Sequence, residues 1–152
     1  MSSQTIEKFC VVGISVRTTN ENGQSGKDIP ELWNRFMTEN ISEKIPNKTG
    51  NAVYVIYTDY EKDHTKPYTT IIGCKVSNSA SVPEGMIEKT IEQAAYAKYA
   101  VKGNILQGLV FDAWVKIWNA DIQRAFTADF EVYGEKAQNP EQAEVDIFIA
   151  VK

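Results

Sequence analysis

Apolar and polar positions alternate along the chain between short β-type runs and longer helical stripes. Residues 9–17 are rich in β-branched side chains, and a polar, glycine-containing stretch at 18–27 follows, which predicts a strand and a loop. A first helix is predicted to begin at Asp28, with Glu31 at capping-box spacing, and to end before Pro46. Its apolar residues recur at helical spacing: Ile29, Leu32, Trp33, Phe36, Met37, Ile41 and Ile45.

Two more β-rich runs complete the first half of the chain. Residues 51–60 and 68–76 predict a hairpin whose strands are joined by the charged loop 61–67. The polar stretch 77–85 contains proline and glycine and is the main internal boundary.

The second half has the same order of elements. Residues 86–92 and 94–101 predict strands, and residues 130–133 and 144–151 predict two more. Between them, after a turn at Gly103, an apolar stripe predicts a helix of about four turns: Ile105, Leu106, Leu109, Val110, Ala113, Trp114, Ile117 and Trp118.

The order strand, helix, strand, strand therefore occurs twice, which predicts an internal duplication. Length fits one domain over residues 1–152, with pseudo-repeats at about 9–76 and 86–152. Apolar residues make up 43% of the chain and charged residues 24%, as in folded globular proteins.

Charge and sequence motifs exclude several classes of function. The net charge is −4 and the basic residues form no stripe, so we expect no direct nucleic-acid binding. No secretory signal and no run of about eighteen apolar residues occurs, which predicts a cytoplasmic protein without membrane contact. Cys10 and Cys74 stand in apolar runs and are interpreted as buried, reduced thiols.

The sequence offers no catalytic constellation. His64 is the only histidine, and its charged loop is typical of a solvated position. Dinucleotide, P-loop, zinc-protease and nucleophile-elbow motifs do not occur, so no cofactor and no metal are predicted.

Glu131 is the most informative single residue. Strand alternation puts Glu131 and Tyr133 on one face and Phe130 and Val132 on the other. An enclosed carboxylate requires compensation, by a bound cation or by tyrosine hydroxyls. A solvated face would leave Glu131 without a functional role, and the residues alone leave both alternatives open.

Aromatic residues are numerous, and Tyr and Trp suit both cation–π contact with a planar ligand and ordinary core packing. They include Trp33, Tyr54, Tyr57, Tyr60, Tyr68, Trp114, Trp118, Phe126 and Tyr133.

Five segments in the same order resemble the GyrI-like small-molecule-binding family, which is similar to the effector-binding domains of AraC-type and BmrR-type regulators. The segments are residues 12–17, 29–36, 55–60, 68–73 and 129–133. The resemblance implies an α+β fold in which a duplicated strand-helix-strand-strand unit forms a curved antiparallel sheet with a central ligand groove.

The resemblance also implies that Glu131 faces this groove and that the ligand is a small amphipathic molecule, cationic or planar. It carries over a set of ligand-binding aromatic residues: Tyr133, Trp33, Trp114, Trp118, Tyr57 and Tyr68.

Regulators of this group have a separate DNA-binding domain, for which this chain has neither the length nor the charge. We therefore expect a stand-alone sensor or sequestering protein, or one that acts through a protein partner. Two alternatives remain: a hydrolase of reactive planar electrophiles that uses Glu131, and a gyrase-inhibitor-like interaction module.

Overall fold

The computed structural model describes residues 3–78, 82–137 and 139–152. Residues 79–81 of the predicted boundary stretch, and residue 138 in the second half, lie outside the described residues. Within the described ranges, one antiparallel sheet is combined with short helices, which confirms the predicted α+β class.

The sheet has eight strands in these ranges, and every neighbouring pair is antiparallel. They are β1 (Ser3–Ile6), β2 (Phe9–Thr18), β3 (Val53–Thr58), β4 (Tyr68–Val76), β5 (Ile87–Ile91), β6 (Ala94–Gly103), β7 (Ala128–Tyr133) and β8 (Ala143–Ala150).

The strand order, β1-β6-β8-β7-β3-β4-β2-β5, shows the duplication. The triplet β3-β4-β2 of the first half has the same internal order as β7-β8-β6 of the second. The two triplets meet where β3 pairs with β7 and Val55 stands opposite Glu131. The first strand of each half is exchanged: β1 pairs with β6 of the second half, and β5 pairs with β2 of the first.

The helices differ from the predicted boundaries. The first helix, α1 (Ser25–Thr38), begins three residues before Asp28, and the prediction of one helix up to residue 45 is wrong. Asn40 has φ 50°, a left-handed conformation that interrupts the helix before the short α2 (Ile41–Lys44).

The second predicted helix also begins later than its apolar stripe indicates. Residues Ile105–Gln107 form a 3₁₀ turn, and Gly108 at φ 81° precedes α3 (Leu109–Trp118). Glycine takes this positive φ without the steric cost that a side chain brings.

Helices α1 and α3 lie on the same face of the sheet. Leu32 and Phe36 of α1 pack over β2 and β4, whereas Trp114 and Ile117 of α3 pack over β8. Half-buried Tyr57 borders both clusters. On the other face of the sheet, a third cluster is formed only by strands and their connections. The space between α1 and α3 lies on the first face.

The two cysteines differ in burial, and the helices are short. Cys74 is buried but Cys10 is only half-buried, so the interpretation of Cys10 as a buried thiol is wrong. No helix in the described part of the chain is long and apolar enough to cross a membrane.

Candidate ligand-binding site

A cavity of about 440 Å³ lies between α1 and α3, above β3 and β4. This volume is in the range of sites for drug-sized molecules. The lining is dominated by apolar and aromatic side chains and consists of Asn20, Gly23, Ser25, Gly26, Ile29, Pro30, Tyr57, Tyr60, His64, Tyr68, Val110, Phe111, Trp114, Trp118 and Arg124.

Regular secondary structure positions most of the aromatic lining. Val110, Trp114 and Trp118 follow one another at i, i+4 spacing and thus share a face of α3. Tyr57 of β3 stands edge-on to both Trp114 and Tyr68, with ring centroids 5.2 and 6.0 Å away. The aromatic rings therefore form a continuous wall on rigid elements.

Glu131 lies directly beneath this wall and is only 1% exposed. Its Oε2 accepts hydrogen bonds from the Tyr57 hydroxyl at 2.8 Å and from the Trp114 indole N–H at 2.6 Å. Its Oε1 accepts a hydrogen bond from the Tyr133 hydroxyl at 2.7 Å. Both carboxylate oxygens therefore accept hydrogen bonds, and all three donors are uncharged.

Burial and hydrogen bonding act on the Glu131 carboxyl in opposite directions. Desolvation raises its pKa, while the hydrogen bonds from Tyr133, Trp114 and Tyr57 lower it, and the net direction is upward. Desolvation and the nearby Glu131 charge together raise the pKa of Tyr57 well above its ordinary value. Tyr57 therefore stays protonated and remains a donor.

A second buried acid, Asp129, stands two residues earlier on the same side of β7. It accepts hydrogen bonds from the Arg124 Nη2 at 2.7 Å and from the Ala150 backbone N–H at 2.8 Å. The Tyr60 hydroxyl also donates to it. Unlike Glu131, Asp129 thus has a cation in direct contact.

His64 contributes to the cavity, so its interpretation as a solvated loop residue is wrong. Its ring stacks on that of Trp118, with centroids 5.5 Å apart and an interplanar angle of 6°. Desolvation, followed by the charge of Arg124, lowers the pKa of His64, and the Asp63 charge opposes this shift. The imidazole is therefore neutral at physiological pH.

The structure brings together most of the residues that the sequence singled out. Tyr57, Tyr68, Trp114 and Trp118 line the cavity, while Glu131 and Tyr133 lie below the lining. Trp33 does not line the cavity, and its contact with the ligand stays a prediction. Its ring instead packs against Tyr133 and Phe36, at 5.1 and 6.1 Å between centroids.

The sequence pattern gives no indication that Arg124, Phe111 and the aliphatic residues of α1 line the cavity, or that Asp129 binds Arg124. Strand alternation does put Asp129 on the same face as Glu131. Arg124 stands in the connection between α3 and β7, where no periodicity indicates which way a side chain points.

An aromatic cavity over a buried carboxylate, built on a duplicated α+β sheet, defines a small-molecule-binding domain. The model of the family Cass2, described as integron-associated effector-binding protein, matches residues 4–151. The chain therefore belongs to this effector-binding family, which confirms the resemblance found in the sequence.

Known relatives agree with this assignment. An integron cassette protein from the mobile metagenome of Vibrio cholerae has a similar crystal structure, with 30% identity and a TM-score of 0.77 over 99% of this chain and 95% of that one. YobU of Bacillus subtilis (strain 168), a candidate transcriptional regulator, is 27% identical over 92% of this chain and 90% of its own length.

The structure of SAV2435 bound to tetraphenylphosphonium shares the fold at a TM-score of 0.78 and 18% identity. The alignment covers 99% of this chain and 93% of SAV2435. A protein that shares this fold has thus been captured with an organic cation.

Proposed function

We propose that this protein binds an aromatic, amphipathic cation in the cavity between α1 and α3 and acts as a receptor or sequestering protein for it. The observation that carries the proposal is the Glu131 carboxylate, which is buried beneath the lining and contacted only by uncharged donors. A cation in the cavity supplies an opposite charge for Glu131, because the nearby Arg124 is already paired with Asp129.

The lining is suited to such a ligand. The faces of Trp and Tyr rings carry negative electrostatic potential and attract organic cations, most strongly where water is excluded. Tyr57 and Trp114 also donate hydrogen bonds to Glu131, so the carboxylate makes both rings more electron-rich. Charge and ring surface therefore favour the same class of ligand.

The hydrogen bonds of Glu131 favour binding over hydrolysis. As a general base, the carboxylate would have to reach a water molecule, yet Glu131 is buried and is already held by three hydrogen-bond donors. A charge held behind two aromatic rings acts at a distance on a bound cation. Ligand binding would then be communicated to a protein partner, or it would simply lower the concentration of the free ligand.

Tetraphenylphosphonium is a suitable first probe, because SAV2435 has been captured with this compound. We expect it to bind, to quench tryptophan fluorescence and to raise the melting temperature. At a hundred times the dissociation constant, the free energy of unfolding should rise by about 2.7 kcal/mol.

Two tryptophan variants locate the binding site. Trp118→Phe should remove a large part of the quenching, because Trp118 lines the cavity. Trp33→Phe is the matched control and should retain the quenching, since Trp33 lies outside the lining. Absence of both quenching and thermal stabilisation, for tetraphenylphosphonium and for planar cationic dyes, would refute the proposal.

A further inference from the structure

Arg124 brings a second kind of polar group to the same cavity. Arg124 lines the cavity, and only 5% of its side chain is exposed. The guanidinium lies over the Phe126 ring, 4.3 Å from the centroid, and its Cζ is 5.8 Å from the centroid of the Trp114 ring. Trp114 thus touches Arg124 with its ring and Glu131 with its N–H.

The hydrogen bonds of Arg124 are incomplete. Its Nη2 donates to Asp129, which is further held by Tyr60 and Ala150. Its Nε and Nη1 are buried and have no hydrogen-bond partner among the described residues. His64 also lines the cavity, and its Nδ1 is likewise buried without a hydrogen-bond partner among the described residues.

Buried N–H groups are nearly always paired in folded proteins, because a donor removed from water without an acceptor loses its hydration. The face of the Phe126 ring stabilises the charge of Arg124 but offers no acceptor lone pair. An acceptor atom on the ligand would provide the hydrogen-bond partner that Nε and Nη1 of Arg124 lack. Asp129 meanwhile holds the guanidinium in a fixed orientation.

The local charges indicate which kind of acceptor fits. The positive charge of Arg124 is balanced by Asp129, and Glu131 adds one further negative charge. A carboxylate on the ligand would therefore approach two buried carboxylates. A neutral oxygen, such as that of a ketone, amide or ether, receives the hydrogen bond without this repulsion.

We propose that Arg124 is a specificity-determining residue and that the ligand is an aromatic cation carrying a neutral acceptor oxygen. Its positive charge would lie over the Tyr57 and Trp114 rings above Glu131, and its oxygen would accept from Nε or Nη1 of Arg124. This inference rests on the proposed cation-binding function and narrows its ligand class.

A matched pair of probes tests the acceptor. 3-Benzoyl-1-methylpyridinium and 3-benzyl-1-methylpyridinium have the same charge and nearly the same shape, but a ketone in one replaces a methylene in the other. We expect the ketone to bind about tenfold to hundredfold more tightly in calorimetric titration, as for a hydrogen bond to a charged group. Without a donor, the cost of desolvating the ketone would make it the weaker ligand.

Three variants identify the donor. Arg124→Lys retains the positive charge beside Asp129 but lacks the Nε and Nη1 donors. This variant should therefore bind the ketone probe no more tightly than the methylene probe. Glu131→Gln should weaken both probes and preserve the preference. Arg35→Lys makes the same chemical change at an exposed ion pair of α1 and should leave the preference intact.

The outcomes separate the two proposals. If the wild type binds both probes equally, or Arg124→Lys keeps the preference for the ketone, the role of Arg124 is refuted and cation binding stands. If neither probe nor tetraphenylphosphonium binds, both proposals fail. Should Arg124→Lys not fold, the double variant Arg124→Met with Asp129→Asn removes both buried charges and must likewise lose the preference.

Discussion

Three elements of the fold supply the hydrogen-bond donors of the Glu131 carboxylate: β7 supplies Tyr133, β3 supplies Tyr57 and α3 supplies Trp114. Alternation along one strand is enough to put Glu131 and Tyr133 together. Tyr57 and Trp114 come from β3 and α3, and only tertiary structure brings them to the same carboxylate. Local pattern therefore locates a candidate residue without showing whether its charge is compensated.

His64 illustrates the opposite failure. A charged loop is typical of solvated residues, and nothing in its composition indicates an aromatic partner. The loop nevertheless folds over the end of α3, where Trp118 provides a surface for stacking. Contacts between a loop and a distant helix leave no periodic signal in the sequence.

The lowered pKa of His64 predicts a pH dependence of stability. Below pH 6.5, the ordinary pKa of histidine, His64 is protonated in the unfolded chain, whereas its lowered pKa disfavours protonation in the folded protein. Stability from this residue is therefore complete above about pH 6.5 and is lost as pH falls from there through the lowered pKa of the folded state.

Thermal or urea unfolding of wild type and His64→Phe between pH 7.5 and 5.5 measures this contribution. Phenylalanine keeps an aromatic ring beside Trp118 but has no proton to bind. We expect the free energy of unfolding of the wild type to fall more over this interval. Equal losses in the two proteins would mean that the solvation of His64 does not change on folding.

At the scale of the elements, the sequence pattern predicted α1, α3 and the strands that build the site, but it failed at their ends. The stripe of α1 continues into α2, and only the backbone of Asn40 shows that the helix is interrupted. Strand β1 was missed, because its residues are mostly exposed and show no apolar alternation. It is held by pairing with β6, a partner distant in sequence.

The pairing of β2 with β4 depends on two glycines that face each other, Gly13 and Gly73. A Cβ atom at position 13 would overlap the Ile72 carbonyl oxygen and lie 2.5 Å from the Gly73 Cα. We expect Gly13→Ala to lower the free energy of unfolding by at least about 2 kcal/mol, because backbone atoms have no room to move aside.

Gly26→Ala in the first turn of α1 is the matched control. A Cβ atom at this position meets no atom within 4 Å, and we expect a change within about 0.5 kcal/mol. Urea unfolding of both variants measures the difference. A mild effect at Gly13 would show that the close approach of β2 and β4 is not required by the fold.

At the scale of the whole molecule, the predicted duplication is visible in the strand order on either side of the β3–β7 pair. The exchange of β1 and β5 between the halves could not be predicted, because local sequence does not specify which edge a short strand joins. The exchange ties the two halves together at both edges of the sheet.

The charge state of Glu131 beneath this cavity is central to the proposed binding of a cation. Because burial raises the pKa of Glu131, the free protein is stabilised when this carboxyl is protonated, and that stability is lost as pH rises through the raised pKa. At neutral pH, a neutral amide in its place should therefore leave the free protein equally or more stable. A residue that served the fold alone would behave in the opposite way.

The most direct measurement is calorimetric titration of wild type and Glu131→Gln with 10-methylacridinium and with acridine, which is uncharged near pH 8. We expect the substitution to weaken binding of the cation about tenfold to hundredfold and to leave the affinity for acridine nearly unchanged. The variant should melt no earlier than the wild type. Equal weakening of both ligands, or a variant that melts much earlier, would show that Glu131 maintains the fold and does not recognise charge.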